Sequence, residues 1–352
     1  MTLTLEQALS RKNNNFDLIR LLAAIAVIFG HSFYLFPSNG YPEPVKKILL
    51  IEYSGSLAVY IFFFLSGIFI SSSFNNSKTF ARFLLMRIFR IWPALITCVV
   101  ITVFIVGPVF TALSLHDYFT SPQTLKYLFT NTLMLKFDPL LPGVFNNDLN
   151  KNIVNGSLWT LPTEIKCYAL VAILGLLGLL KRGIFIVLVL IVLLVFRKNL
   201  YLIEVLTGPD YIKQVLLFVL GMLAYHYRSW LYLNSNIAWI LVASCIASYV
   251  LNLNFKLFIG LFYVTFMYTT LVFASSDLAK KIKLPGDYSY GIYIYGFLVQ
   301  QIIAYTFPRF SAYPSMLVTI PIACALGAFS WYCIELPAIN IGKRIAQKYT
   351  GG

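Results

Sequence analysis

Arg20 and His31 are the residues of this sequence whose types and spacing first suggest chemistry. Both lie in the first long apolar segment, FDLIRLLAAIAVIFGHSFYLF, eleven residues apart. On an α-helix this spacing returns to within about 20° of the starting face, about 16 Å further along the axis. Ionisable side chains inside a membrane segment are costly and mark functional sites. A neutral imidazole accepts a proton near pH 7, so His31 is a candidate general base.

Glu164 is the second candidate, in the segment NGSLWTLPTEIKCYAL. Pro162 suits the start of a helix, and a carboxylate in the first turn is stabilised by the helix dipole. That stabilisation alone would account for Glu164. However, the fourth apolar segment is expected to begin at the external face, which places Glu164 at the depth of His31. There a carboxylate orients the imidazole or acts as the base itself.

Three arginines, Arg82, Arg87 and Arg90, precede the third apolar segment in FARFLLMRIFRIWP. Positive residues of this kind commonly anchor a helix at the cytoplasmic face. Yet Arg87 and Arg90 are three residues apart on an expected interfacial helix and point the same way. Their guanidinium groups suit phosphate or pyrophosphate oxygens, and Arg20 is expected to join them.

Two further residues have expected accessory roles. Tyr290 lies in DYSYGIYIYGF, where an interfacial aromatic belt explains most of the tyrosines. Glu335 lies in WYCIELP, near a helix C-terminus that its charge opposes, so we expect a cationic partner. In the expected topology, Arg20 and the arginines at 82–90 can reach Glu335 and are the candidate partners. The segment FFFLSGIF indicates close helix packing.

Composition indicates an integral membrane protein. The chain of 352 residues is 59% hydrophobic and 11% charged, whereas soluble domains carry about 25% charged residues. The net charge of +14 does not indicate a nucleic-acid partner, because the basic residues lie in short gaps between apolar segments rather than on one soluble face. The five cysteines all lie in apolar segments without metal-ligand spacing, so no metal site is expected.

Ten apolar segments approach the length that spans a bilayer, about 20 residues. We therefore expect one all-α membrane domain over 1–352, with a long external loop at 114–157. Fifteen lysines and arginines lie in the termini and even-numbered loops and ten in the odd-numbered loops, so both termini are expected in the cytoplasm. The segments are 16–36, 54–73, 91–113, 158–180, 183–198, 211–228, 235–252, 255–275, 288–307 and 313–335.

Together these segments resemble the acyltransferase-3 family of membrane O-acyltransferases, which modify bacterial surface polysaccharides. Six segments carry the resemblance in the family's order, from about residue 16 to residue 338. They are FDLIRLLAAIAVIFGH, FFFLSGIF, RFLLMRIFRIWP, SLWTLPTE, DYSYGIYIYGF and IELP.

The resemblance implies ten spans in the inner (plasma) membrane and a cytoplasmic acyl-CoA donor, usually acetyl-CoA. The acceptor would be a hydroxyl of a polysaccharide or lipid-linked glycan on the far side. It implies that His31 is the essential catalytic histidine, that Glu164 assists, and that Arg20, Arg87 and Arg90 hold the CoA. It leaves open whether the imidazole deprotonates the sugar hydroxyl or accepts the acyl group transiently.

The sequence departs from the family pattern in two places. Many relatives carry a second histidine where this chain has Gly296, so no role is transferred to that position. Many also carry a fused extracellular hydrolase-like domain, which the printed chain lacks. We therefore expect either direct acylation of the acceptor or a separate partner protein.

Two other classes of protein remain open from the residues alone. In a proton-coupled transporter, His31 and Glu164 would form a proton relay. A polysaccharide polymerase or flippase would also have a large external loop. Inverted repeats typical of transporters are not evident, and the arginine cluster has no obvious role in a transporter.

Overall fold

In a computed structural model the protein is a helical bundle, described over residues 2–36, 42–134, 136–146, 152–196 and 211–350. Its α-helices are α1 Leu5–Ala8, α2 Phe16–Leu35, α3 Pro44–Leu49, α4 Ser54–Asn75, α5 Phe80–Ile101, α6 Gly107–Phe110, α7 Leu115–Thr120, α8 Pro122–Leu133, α9 Leu161–Leu176, α10 Gly183–Phe196, α11 Ile212–His226, α12 Ser235–Val250, α13 Phe255–Ala274, α14 Asp277–Lys281, α15 Ser289–Thr306, α16 Ala312–Ser330 and α17 Leu336–Thr350. Shorter helical turns are Arg11–Asn13, Gly156–Thr160 and Leu179–Lys181 (3₁₀) and Thr102–Val106 and Trp331–Glu335 (π). Two short antiparallel strands, β1 Thr2–Thr4 and β2 Tyr232–Asn234, join the N-terminus to the α11–α12 connection.

The predicted all-helical membrane class is confirmed. Each of the ten apolar segments contains a helix, although residues 197–198 of the fifth lie outside the described part of the chain. Among the described residues, five continuous helices are long and apolar enough to cross a bilayer. The count of ten spans and the cytoplasmic termini stay predictions. The five helices are Phe16–Leu35, Ser54–Asn75, Phe80–Phe110, Phe255–Ala274 and Ala312–Lys348.

The third spanning helix begins eleven residues earlier than predicted, at Phe80. The Thr79 hydroxyl accepts a hydrogen bond from the Arg82 backbone N–H and caps this start. Pro93 lies inside the helix without ending it, since neighbouring helices compensate for a proline in a membrane helix. The arginine cluster therefore lies on the same continuous helix as the third apolar segment, and its expected position at the membrane interface stays a prediction.

Helix α15 is the centre of the bundle. Fourteen of its eighteen residues are buried, and it contacts α2, α5, α16 and the 3₁₀ turn Gly156–Thr160. Arg20 lies beside Asp287 at one end, and Ile28 lies beside Gln300 nearer the other. Helices α2 and α15 therefore run in the same direction.

The last part of the long loop passes deep into the bundle before α9 begins. The backbone oxygen of Ile153 accepts a hydrogen bond from Gln301, and the Thr160 hydroxyl lies 2.7 Å from the Tyr293 hydroxyl. Tyr293 and Gln301 are eight residues apart, which corresponds to about 12 Å along α15. Over this distance the loop carries the start of α9, and Glu164 with it, past the depth of His31. The predicted depth of Glu164, level with His31, is therefore wrong. The rest of the loop contains α7 and α8, and residues 135 and 147–151 lie outside the description.

We call residues 152–160 the re-entrant segment. Polar side chains form hydrogen bonds with its backbone, as irregular structure inside a membrane protein requires. The buried Asn155 side chain donates to the Ile294 carbonyl at 2.8 Å, and its oxygen lies 3.3 Å from the Ser157 backbone N–H. The segment is thus bonded to α15 rather than loosely packed against it.

Helices α4 and α11 pack backbone against backbone at Gly67 and Gly221. A Cβ on Gly67 would overlap the carbonyl oxygen of Phe218. We predict that Gly67→Ala lowers the free energy of unfolding by about 1–3 kcal/mol because the helices must separate. The measurement is the thermal unfolding midpoint of the protein in detergent.

Gly260→Ala on α13 is the matched control, because a Cβ there meets nothing within 4 Å. Its midpoint should be unchanged or slightly higher, since alanine favours helix over glycine. Equal losses in the two variants would contradict the packing role of Gly67.

Candidate active site

A cavity of about 120 Å³ lies between α2, α4, α5, α9 and α15. That volume accommodates several water-sized groups. The structure thus brings three of the predicted arginines together with the predicted glutamate, although α2 and α15 are far apart in sequence. The polar residues lining the cavity are Arg20, Ser66, Arg87, Arg90, Thr160, Glu164, Tyr168, Ser289, Tyr290 and Tyr293.

One carboxylate, that of Asp287, organises two of the arginines. Its Oδ2 accepts hydrogen bonds from Arg20 at 2.5 Å and from Arg90 at 2.6 Å, while Oδ1 accepts from the Ser289 hydroxyl. Arg90 also forms an ion pair with Glu335. The cationic partner expected for Glu335 is therefore Arg90.

Asp287 was missed by the sequence reasoning. It directly precedes the tyrosine-rich start of α15, and an acidic residue beside a basic membrane face was the available signal. Burial raises its pKa, but Arg20 and Arg90 lower it more, so the pKa lies well below the ordinary aspartate value. Asp287 is therefore ionised and shared between two guanidinium groups.

Arg87 differs from its neighbours in having no carboxylate partner among the described residues. Its Nε is buried without a hydrogen-bond partner in that part of the chain. Since a buried unpaired donor on a charged group is costly, Arg87 is the guanidinium best placed to receive an added anion. Arg87 and Arg90 both line the cavity, as their spacing predicted.

Glu164 lies in the first turn of α9, as predicted. Its Oε1 accepts a hydrogen bond from the Tyr168 hydroxyl and lies 3.5 Å from the Ser66 hydroxyl. It shares the cavity with Arg87. Its neighbourhood is therefore the cationic end of the site.

His31, a residue of α2, lies beside a part of α15 that is further from Asp287. It is half-buried, and its ring meets the Phe297 ring edge to face, with 5.1 Å between centroids. Phe297 is one turn beyond Tyr293, about 6 Å along the helix. Among the described residues Nδ1 of His31 is buried without a partner, and the expected imidazole contact with Glu164 is not formed. The re-entrant segment, which carries Glu164 towards the arginines, is the physical reason.

Tyr290 and Arg82 are the two remaining residues predicted from the sequence, and they differ in their relation to the cavity. Tyr290 donates a hydrogen bond to the Ile91 carbonyl at 3.2 Å, and the Arg90 guanidinium lies 5.7 Å from its ring centroid. Arg82 lies in the first turn of α5 outside the residues that line the cavity. Tyr290 thus supports the site directly, and Arg82 does not touch it.

Comparison with known proteins decides the family. The acyltransferase-3 model, described as an acyltransferase domain, matches residues 13–335. The chain belongs to the acyltransferase-3 family. The matched range includes all the residues that line the cavity and form its ion pairs, from Arg20 to Glu335. The protein is therefore a multi-pass membrane acyltransferase.

Two similar relatives within the curated proteins extend this result. An "O-acetyl transferase" of Shigella phage Sf6 is 30% identical over 339 residues, covering 92% of this chain and 95% of the relative. "Nodulation protein 10" of Rhizobium leguminosarum bv. viciae is 26% identical over 373 residues, covering 96% of each. No solved structure matches the chain.

We predict that Asp287→Asn destabilises the protein by about 3–5 kcal/mol, because removing one partner of a buried ion pair leaves Arg20 without its carboxylate and Arg90 with Glu335 alone. In the wild type, the lowered pKa means that this stabilisation is present above about pH 3.9 and is lost as the pH falls below it. The variant should therefore show a lower unfolding midpoint at neutral pH and a shallower loss in acid.

Asp277→Asn is the control, because the Asp277–Lys280 ion pair is exposed and exposed pairs contribute little. A neutral-pH midpoint for Asp287→Asn equal to that of Asp277→Asn would contradict the organising role of Asp287.

Proposed function

We propose that this acyltransferase moves an acyl group, and specifically an acetyl group, from cytoplasmic acyl-CoA to a hydroxyl of an extracytoplasmic or lipid-linked polysaccharide. The reaction takes place in the inner membrane. The observation that carries the proposal is the cavity that joins the unpaired Arg87 to Arg20, Arg90 and Glu164. The name of the phage Sf6 relative, O-acetyl transferase, supports the acetyl group and the oxygen acceptor.

The donor half of the site rests on the guanidinium groups. CoA carries a pyrophosphate, and arginines bind phosphate oxygens through charge-assisted, bidentate hydrogen bonds. Arg87 makes the direct contact in this proposal, because Arg20 and Arg90 already bond Asp287. Those two arginines line the same cavity, held in place by their ion pairs.

The acyl group then passes along α2 and α15 towards His31. The eleven residues from Arg20 to His31 correspond to about 16 Å of helix, a distance suited to an extended thioester arm. In one route the imidazole takes the proton from the sugar hydroxyl, the sugar oxygen attacks the thioester carbonyl, the C–S bond breaks, and the imidazolium gives the proton to the departing CoA thiolate. In the other route the imidazole nitrogen attacks the thioester carbonyl and CoA leaves; the sugar oxygen then attacks the acyl-imidazole, the C–N bond breaks, and the hydroxyl proton goes to the CoA thiolate.

Glu164 assists from the donor side in this proposal. Its carboxylate faces the same cavity as Arg87, so it holds the charge of the cavity near neutrality before the donor binds. Its hydrogen bonds to Tyr168 and Ser66 fix its position.

We predict that His31→Ala abolishes acyl transfer, by at least about 10²–10⁴-fold, as expected for loss of general acid–base catalysis. The assay incubates membranes with labelled acetyl-CoA and surface polysaccharide and measures O-acetylation by mass spectrometry. Insertion and the unfolding midpoint should be normal. His116→Ala is the control, because His116 is exposed on α7. Near-normal product from His31→Ala would refute the catalytic role.

We predict that Arg87→Gln raises the KM for acetyl-CoA about tenfold or more, since a hydrogen bond to a charged group contributes about 1.5–3 kcal/mol. Its unfolding midpoint should be unchanged. Arg90→Gln should also lower the midpoint, because Asp287 and Glu335 lose their partner. Arg82→Gln is the control for nonspecific charge loss. An acetyl-CoA KM that is the same in Arg87→Gln and the wild type would count against donor binding.

A further inference from the structure

Two adjacent glutamines on α15, Gln300 and Gln301, are completely buried. Gln300 Nε2 donates hydrogen bonds to the Ile28 carbonyl and to the Ser32 hydroxyl, each at 2.9 Å. Gln301 Nε2 donates to the Ile153 carbonyl. A backbone carbonyl only accepts hydrogen bonds, so these contacts fix which end of each amide is the NH₂ group.

The other end of each amide, the Oε1 atom, is left without a partner. Both oxygens are buried and unpaired among the described residues. A buried polar atom in this state costs about 1–3 kcal/mol, and native structures retain few of them. The two consecutive glutamines thus hold two acceptor atoms that no donor among the described residues satisfies.

Both glutamines lie close to His31. Gln300 bonds Ile28 and Ser32, which lie three residues before and one residue after His31 on α2. Gln301 follows Phe297 by four residues, which places the two side chains on the same face of α15. The Phe297 ring in turn packs against the His31 ring.

The re-entrant segment closes the other side of this region. Ile153 bonds Gln301, and a Cβ on Gly156 would meet the Phe297 ring at 2.7 Å. His31, Phe297, the two amides and this segment therefore form one contiguous cluster, which lies beyond the cavity along α15. We call it the amide cluster.

The chemistry of the amide cluster differs from that of the arginine cavity. Its unpaired oxygens are acceptors, so they match hydroxyl donors and not phosphates, which also accept. A sugar ring presents hydroxyls on several carbons around its edge, so two acceptors that leave α15 about 100° apart can each bond a different one. Sites that hydrogen-bond a substrate hydroxyl in this way discriminate strongly against compounds that lack it.

We propose that the amide cluster is the acceptor subsite, in which Gln300 and Gln301 accept hydrogen bonds from a polyhydroxylated sugar ring and present a further hydroxyl to His31. Both glutamines are positioning residues. The inference rests on the proposed transferase function and adds to it where the acceptor binds and which side chains recognise it.

The test uses Gln300→Met and Gln301→Met, which keep the side-chain length and remove the amide. The substrates are acetyl-CoA and surface polysaccharide that has been de-O-acetylated with mild alkali. Each variant should raise the KM for the polysaccharide about fivefold or more, the loss expected for one buried hydrogen bond. The KM for acetyl-CoA should be unchanged.

Gln214→Met is the matched control, because Gln214 on α11 is also buried with an unpaired Oε1 but is not part of the amide cluster. It should leave both KM values unchanged. A lower kcat with an unchanged polysaccharide KM in the cluster variants, or an equal KM effect in Gln214→Met, would overturn the subsite.

A second measurement needs no variant. In the wild-type protein, backbone hydrogen exchange in peptides covering 152–160 should slow when the de-O-acetylated polysaccharide is added, and acetyl-CoA alone should not slow it. Unchanged exchange overturns the subsite. Transfer by the wild type with unaltered KM values in both cluster variants overturns the subsite alone, whereas absence of any wild-type transfer overturns the proposed function with it.

Discussion

The ionised carboxylate of Asp287, bonded to two guanidinium groups, is the interaction on which the rest of the site depends. It joins α2 through Arg20 and α5 through Arg90 to the start of α15. Glu335 extends the network to the π turn Trp331–Glu335 within the last spanning helix. An unpaired charge in the interior of a bundle is strongly destabilising, so these contacts determine how the helices approach one another.

The same network separates the roles of three arginines. Arg20 and Arg90 are neutralised by carboxylates, while Arg87 points into the same cavity without one among the described residues. A cavity that contains one guanidinium without an ion-pair partner among the described residues favours the binding of an anion. Charge is thus concentrated at one end of α15.

The other end of α15 has a different character. His31, Phe297, Gln300 and Gln301 replace ion pairs with a neutral imidazole edge and amide groups. The re-entrant segment connects the two ends, because it bonds Gln301 at its beginning and Tyr293 near its end. In the proposed function, the phosphate-bearing donor and the hydroxyl-bearing acceptor would therefore bind at chemically distinct ends of one helix, and a small acyl group would pass between them.

Much of this arrangement was predictable from the sequence, and the exceptions have physical causes. Hydropathy located all ten apolar helices, and helical spacing placed Arg87 and Arg90 on one side. The cation expected beside Glu335 is Arg90, although the helix continues past Glu335 to Lys348 and does not end there as predicted. The start of α5 was misplaced because Arg82, Arg87 and Arg90 interrupt the apolar pattern, whereas the helix itself begins at Phe80 and continues through them. The depth of Glu164 was misplaced because nothing local in the sequence marks a loop that enters the bundle.

The sequence by itself determined the all-helical membrane class, the family, and the residue types available for catalysis. These follow from short-range regularities, namely the length of apolar segments, the helical repeat and a few ordered motifs. Only the tertiary structure decided that Asp287 pairs with Arg20 and Arg90, across 267 and 197 residues of chain, and that Glu164 joins the arginines rather than His31. Such pairings depend on helix packing and on where buried polar groups find partners, and both are set by the whole fold.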